Sequence, residues 1–277
     1  MDKFTTNAER SEYFHRLFQN MIQVEDLQNT QCIINNTQNT KVAVIVEPRK
    51  HEFFEEVIRN VMFILPKDWN LHIITYKDHT DWVQSLFPNW QIKISTIEKP
   101  NFTVDDYNQL LMTESFWTNI DEENILIFQT DVMLFNDNIC DFIQYDFIGA
   151  NYFDTNHTSL NNGGNNGGFS FRHKSAMIDC IQNLSQQDIH NYLLSNNKGI
   201  HGLIPEDIYF SNACEILKKN LCHVSERSKF SIEDGNKEPF IYFKPIGCHR
   251  FMFHDLSKIM MQILESSPYT SKWIVPI

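Results

Sequence analysis

The sequence predicts an α/β protein built on a mostly parallel central sheet with helices on its faces. Three observations carry this expectation. From Lys41 onward, short apolar runs alternate with stretches of helical periodicity, the pattern of βαβ units. Two of the runs, Lys41–Val46 and Ile125–Phe128, are apolar almost throughout, as strands buried on both faces are. Each gives way to charge, at Glu47 and Arg49 in one case and at Asp131 in the other. Those side chains then fall at the carboxyl edge of the sheet, where open α/β folds take ligands.

In chain order, residues 4–28 space Phe14, Leu17, Phe18, Met21, Ile22 and Val24 as an amphipathic helix does, and residues 29–40 form a linker rich in Asn, Thr and Gln. Residues 1–40 are therefore expected to be an N-terminal helical extension with a polar linker, and residues 41–277 the main domain. The extension is expected to pack on that domain. After the first strand, His51 to Leu65 has helical spacing and stops at Pro66. Leu71–Tyr76 is the second strand, Asp81–Phe87 a short helix, Ile92–Ile97 the third strand and Val104–Trp117 a helix leading to the Asp131 strand. Tyr145–Ala150 suggests another short strand. Tyr152 to Gly168 is a long polar loop, ending in Asn165-Asn166-Gly167-Gly168 before Phe169 enters a strand. His173–Leu194 and Glu206–Asn220 complete the pattern as helices.

Composition narrows the function. A net charge of −12 argues against a general nucleic-acid binder, because phosphate contacts need clustered Lys and Arg. It leaves room for a nucleotide, whose diphosphate a metal and a few local cations can neutralise. No stretch approaches the roughly 20 apolar residues of a membrane span, and the first residues lack the apolar core of a signal peptide. A cytoplasmic protein is expected. The six cysteines show no C-x-x-C spacing and are expected to be free thiols in a reducing compartment.

Asp131 is the leading candidate for chemistry. A carboxylate at a strand's carboxyl end can hold a divalent cation against a diphosphate; equally, it can cap the next turn. Arg49 can meet phosphate oxygens through its planar fork, or it can form a surface pair with Glu47. Tyr76, at the end of the second strand, can stack on a base or belong to the core. Glycines at 167 and 168 let backbone approach a sugar ring, and Asn165 and Asn166 can bond its hydroxyls. Glu206 and Asp207 follow Pro205 in the first turn of a helix, where the macrodipole favours acids and is expected to keep their pKa values low.

Taken in order, the V-E-P-R strand end (Val46, Glu47, Pro48, Arg49), the F-Q-T-D strand ending in Thr130 and Asp131, the N-G-G segment, the P-E-D helix start and the late histidine His249 resemble an uncharacterised family of glycosyltransferase-like domains with the GT-A fold. The resemblance spans roughly residues 41 to 255. It implies a Rossmann-like GT-A domain and a hexosyl- or N-acetylhexosaminyl-transferase. The donor would be a nucleotide sugar, with UDP the expected carrier, and the acceptor a hydroxyl on a glycan, protein or small molecule. It also implies Mn²⁺ or Mg²⁺, with Mn²⁺ favoured by an imidazole ligand.

By this resemblance Val46, Glu47, Pro48, Arg49, Tyr76, Thr130 and Asp131 contact the nucleotide. Asp131 and His249 hold the metal, with His254 the alternative histidine. Asn165, Asn166, Gly167 and Gly168 lie under the donor sugar and beside the acceptor. A similar E-D-V/I motif in inverting enzymes makes Asp207 the base that removes the acceptor proton and Glu206 its neighbour. One departure stands out. GT-A enzymes commonly carry D-x-D here, whereas this chain has Met133 in the second acidic position. That leaves a rival reading, a non-catalytic nucleotide- or glycan-binding module on the same fold.

Overall fold

The structure, a computed structural model, describes residues 7–22, 30, 32, 40–151, 164–196, 202–233, 244–250 and 257–271. Residues 152–163 of the expected Tyr152–Gly168 loop, and His254, lie outside the described residues. Six strands make the central sheet: β1 (Lys41–Val46), β2 (Asn70–Tyr76), β3 (Lys93–Ile97), β4 (Asn124–Phe128), β6 (Phe147–Asn151) and β7 (Asn165–His173). Between β4 and β6 lies β5 (Val132–Leu134), which joins β9 (Gly247–His249) and β8 (Ser231–Ile232) in a second, three-stranded sheet.

The central order is β3-β2-β1-β4-β7-β6. The first four strands are parallel, and β7 runs antiparallel to both β4 and β6. The chain moves outward from β1 to β3, then returns to place β4 on the other side of β1. The strand order therefore reverses between β1 and β4, and such a switch point opens a crevice at the carboxyl ends of the two strands.

Alternation along the strands divides the interior in two. Ala43, Ile45, Leu126 and Phe128 face one core with α2 (Phe54–Ile64), while Val42, Val44, Val46, Ile125 and Ile127 face the other. The second core is covered by α4 (Val104–Leu111), α5 (Glu114–Thr118), α6 (Lys174–Asn183), α7 (Gln186–Ser195) and α8 (Glu206–Ile216). The remaining helices are α1 (Asn7–Ile22), α3 (Thr80–Leu86), α9 (Val224–Phe230) and α10 (Ser257–Ser266).

Helix α1 contributes Tyr13, Leu17 and Met21 to the same core as Phe53, Phe54 and Ile58. The expected linker is anchored as well: Cys32 is buried and its carbonyl accepts the Gln91 N–H at 2.8 Å.

Two helices expected to be continuous are broken, each at a hydroxyl residue that caps a new start. Thr113 accepts the Phe116 N–H to begin α5, and the Trp117 indole satisfies the Leu111 carbonyl at 2.7 Å. Ser185 and Asp188 form a reciprocal capping box that begins α7. Apolar periodicity continues across both breaks, so it conceals them. The Asn-Asn-Gly-Gly stretch falls within β7, but only Asn165 is paired, with Asn151; the register shifts before Ser170 meets Gly149, so residues 166–168 form an irregular part of the strand. Polar, glycine-rich composition reads as a turn, and here it serves an irregularity inside a strand, a feature that commonly re-aims side chains beside a site.

Candidate active site

A cavity of about 560 Å³ occupies the switch point. Six segments converge on it: the end of β1, the start of α4, the end of β4, the start of β7, the start of α8, and β9. Val46, Glu47, Pro48, Arg49, Thr130, Asp131, Asn166, Gly167, Gly168, Glu206, Asp207 and His249 all line it. Two expected members do not. Tyr76 packs edge-to-face on His79, with centroids 5.3 Å apart, and is not among the lining residues. Asn165 points into the fold, where its Oδ1 accepts the Gly149 N–H at 3.2 Å and its own N–H donates to Ser211.

One wall is an acid–histidine–acid chain. The register of β5 on β9 sets Val132 opposite His249, so Asp131 and His249 become neighbours despite their distance in sequence. Asn60 holds β5 in place by bonding both the N–H and the carbonyl of Leu134. His249 Nε2 lies 3.3 Å from Asp131 Oδ1 and 3.2 Å from Gln129 Oε1, and its Nδ1 lies 2.8 Å from Glu233. Burial alone would lower the imidazole pKa, but Glu233 and Asp131 together raise it to about 10. Burial pushes Asp131 the other way, upward, and the adjacent His249 reverses this to a net lowering. Asp131 Oδ1 is buried and meets the imidazole as an ion pair without a hydrogen bond of normal geometry. Arg250, which follows, has φ 56, a left-handed conformation uncommon outside glycine.

The opposite wall is the start of α8. Asn108 on α4 accepts the Glu206 N–H at 3.2 Å and so caps the helix from outside. Both Glu206 oxygens bond Arg172, at 2.6 and 3.0 Å, and the pair is sealed from solvent. The Arg172 guanidinium lies over the ring of Phe147 at 4.6 Å and faces Phe210 and Trp117 at greater distance. Glu206 is thus committed to Arg172, which leaves it poorly placed to orient an acceptor.

Asp207 is half-buried at the cleft. Its Oδ2 accepts the Gly167 N–H at 3.3 Å, and its Oδ1 accepts the Ile208 N–H at 2.8 Å. The expectation of a low pKa fails here: desolvation first, then the Glu206 charge, push it up to about 7. The dipole of a helix start is outweighed by loss of water and a like charge.

The glycines answer to the protein rather than to open space. A methyl on Gly167 would collide with Glu206 Oε1, and one on Gly168 would collide with His249 Nε2. Their role is to let β7 run tight against both walls. Across the cleft, Glu47 is buried and grips Arg49 through Nε at 2.8 Å and Nη2 at 2.7 Å, while the Arg49 side chain is 58% exposed.

Sequence reasoning assigned no role to Glu233, Gln129, Tyr107 or Arg172. Arg172 carried the clearest signal: a cation directly after Phe169-Ser170-Phe171 in a strand that enters the core needs a buried partner. Glu233 follows a two-residue strand too short to be read from periodicity.

The fold and cleft define an α/β protein with a carboxylate- and histidine-lined pocket at its switch point. The chain belongs to the family described as "Protein of unknown function (DUF5672)", which matches residues 91–249. That span holds Asp131, the β7 glycines, Glu206, Asp207 and His249, and leaves β1 outside. A comparison with curated proteins returned no match. Among the described residues, no helix is long and apolar enough to cross a membrane.

Proposed function

We propose that this protein is a glycosyltransferase of GT-A type that moves a sugar from a nucleotide sugar, with UDP the expected carrier, to a hydroxyl acceptor with inversion. The observation that carries the reading is the meeting of Asp131 and His249 on one wall of the switch-point cleft, with Asp207 on the other. Transfer makes two demands that these walls answer separately. The leaving diphosphate gains charge and must be stabilised, and the acceptor hydroxyl must lose a proton.

Asp131 and His249 fit a divalent cation. One carboxylate oxygen is buried and ion-paired with His249 Nε2 at 3.3 Å, and a cation would replace the proton that the imidazole now holds between them. Glu233 on the far nitrogen orients the ring as carboxylates behind metal-bound histidines do. Among the described residues no group of three or more His, Cys, Asp or Glu side chains is arranged to hold a metal alone, so phosphate oxygens would complete the set. Mn²⁺ or Mg²⁺, when bound, would neutralise the leaving diphosphate. Val46, Glu47, Pro48 and Arg49 offer backbone and charged groups to the nucleotide along the β1 edge. Asp207 receives the acceptor proton, and a pKa near 7 suits a base that must both take and release a proton at neutral pH. Six free thiols are in keeping with a cytoplasmic setting.

A non-catalytic nucleotide- or glycan-binding module remains the second reading. Met133, in the position of the second D-x-D acid, is fully buried in the core, and His249 as it stands is an imidazolium between two carboxylates. Thermal-shift measurements with UDP and UDP-sugars, each with and without Mn²⁺, separate the two. A transferase is expected to gain stability from one UDP-sugar only when Mn²⁺ is present. Nucleotide stabilisation indifferent to metal would favour the module, and no stabilisation by any of them would sink both.

A further inference from the structure

His51 lines the cleft from the turn that joins β1 to α2. That turn is held at almost every residue. The Glu47 N–H donates to the Ile74 carbonyl at 3.0 Å, and the Thr75 hydroxyl donates to the Glu47 carbonyl at 2.9 Å. His79 holds the Pro48 carbonyl at 2.8 Å, and the Glu47 carboxylate accepts the Arg49 N–H at 2.9 Å. Phe53 is buried in the core, and the His51 carbonyl accepts the Phe54 N–H at 3.1 Å as α2 begins. A side chain on such a turn is presented in one place, with little ordering left to do on binding.

The same turn fixes the tautomer of the ring. His51 Nδ1 accepts the Phe53 N–H at 3.2 Å. A nitrogen that accepts a backbone N–H carries no proton, so the neutral imidazole keeps its proton on Nε2. Burial lowers the imidazole pKa, against an opposing pull from Glu47, and so favours that neutral ring. Nε2 lies on the edge of the ring opposite the Phe53 contact. Among the described residues it has no hydrogen-bond partner, and it is not one of the buried polar atoms cut off from solvent. It is an accessible donor in a half-buried side chain.

Position selects the ligand atom. β1 and β4 are parallel neighbours, with Val44 level with Ile127, so their ends enter the cleft side by side. The segment that follows Val46 therefore emerges next to the one that ends in Asp131, and both line the cavity. From this turn Arg49 and His51 offer only N–H donors. Such a pair suits an oxygen that only accepts, as phosphate oxygens do, better than a hydroxyl that must also donate. The nearest carboxylates are already engaged, Glu47 by Arg49 and Asp131 by His249.

We propose that His51 binds the diphosphate of the donor, its Nε2–H donating to a non-bridging phosphate oxygen on the β1 side of the cleft. This rests on the nucleotide-sugar reading above and adds to it a residue beyond the Val46–Arg49 segment. The turn supplies the rigidity, and the Phe53 amide supplies the tautomer.

The test is a crossed pair of variants in the full chain, His51→Asn and His51→Gln, titrated with UDP in Mn²⁺ by calorimetry. Asparagine can still accept the Phe53 N–H but does not reach the position of Nε2. Glutamine reaches that position with an N–H donor but gives up the acceptor beside the backbone. His51→Asn should therefore melt at the wild-type temperature and bind UDP about tenfold more weakly. His51→Gln should melt lower and bind UDP nearly as the wild type does. Uridine, followed by ligand-observed NMR, should bind the wild type and His51→Asn alike, or bind neither. Unchanged UDP affinity in His51→Asn overturns the proposal alone and leaves nucleotide binding intact. Equal loss in both variants also overturns it, because the ring would then serve only to hold the turn. A loss for uridine that matches the loss for UDP overturns it by moving the contact to the nucleoside. If the wild type does not bind UDP, the nucleotide-sugar reading fails, and this proposal fails with it.

Discussion

The cleft contains the same ion pair twice, and the two copies behave differently. At the start of α8, Glu206 clasps Arg172 in a bidentate pair from which solvent is excluded. At the end of β1, Glu47 clasps Arg49 in a bidentate pair too, side-on through Nε and Nη2 where Arg172 uses Nη1 and Nη2, and the Arg49 side chain is 58% exposed. Two bidentate Glu–Arg pairs need not share a role. The first pair has no alternative to itself, since either charge alone would be stranded without water. The second is open on one side only: Arg49 reaches solvent, whereas Glu47 is buried and takes its side-chain partners from Arg49, so a ligand that draws Arg49 away must compensate the carboxylate left behind. The first is scaffold for Asp207, and the second is a candidate contact for the nucleotide.

That contrast predicts a graded series of effects. The largest belongs to Glu206→Gln, which leaves Arg172 charged and buried without a counter-ion. A loss of about 3–5 kcal/mol of unfolding free energy is expected by chemical denaturation. A change under about 1 kcal/mol would mean that the enclosed pair is as replaceable as an exposed one.

Asp207→Asn comes next. It should fold normally and keep donor binding while slowing transfer about a hundredfold or more, read as kcat with KM for the donor unchanged. In the wild type, kcat/KM should rise with pH through about 7 as the carboxyl ionises. Stability should move the opposite way. The folded carboxyl, raised from 3.8 to about 7, keeps a proton that the unfolded chain has released. Its contribution therefore favours the fold at low pH and is lost as pH rises from roughly 4 to 7. The asparagine variant should lack that part of the slope, and an unchanged slope would show that another group is responsible.

A smaller effect is expected at the metal wall. Asp131→Asn should weaken Mn²⁺-dependent UDP binding about tenfold by calorimetry, with the fold intact. Metal-dependent affinity equal to the wild type's would remove Asp131 from the ligand set. Arg49→Ala is expected to cost about 1–3 kcal/mol, less than Glu206→Gln because the backbone N–H at position 49 still donates to the buried Glu47. Weaker UDP binding in the folded variant would mark Arg49 as a ligand contact, whereas unchanged binding would leave it as a partner for Glu47 alone.

The strands were legible because their signals are local. Apolar runs ending in charge marked β1 and β4, and with them Glu47, Arg49 and Asp131. The α8 start was legible because Pro205 and two acids follow ordinary helix-entry chemistry. The pairing of Glu206 with Arg172 was hidden, because burial at α8 depends on residues from β7. So was the raised Asp207 pKa, which comes from desolvation that no local pattern reports. The β7 glycines misled for the same reason: their neighbours, Glu206 and His249, lie far along the chain. Tyr76 was placed correctly at a strand end, but the parallel register carries that end past the cleft, toward Ile97 and His79.

The pairing of β5 with β9 has a consequence for assembly. All strands of the central sheet precede residue 174, yet the His249 half of the site arrives only when β9 docks. Contacts spanning so much chain close slowly. A folding molecule can therefore have its whole platform in place while lacking a finished pocket, and competence to bind a metal-nucleotide should appear later than the sheet itself.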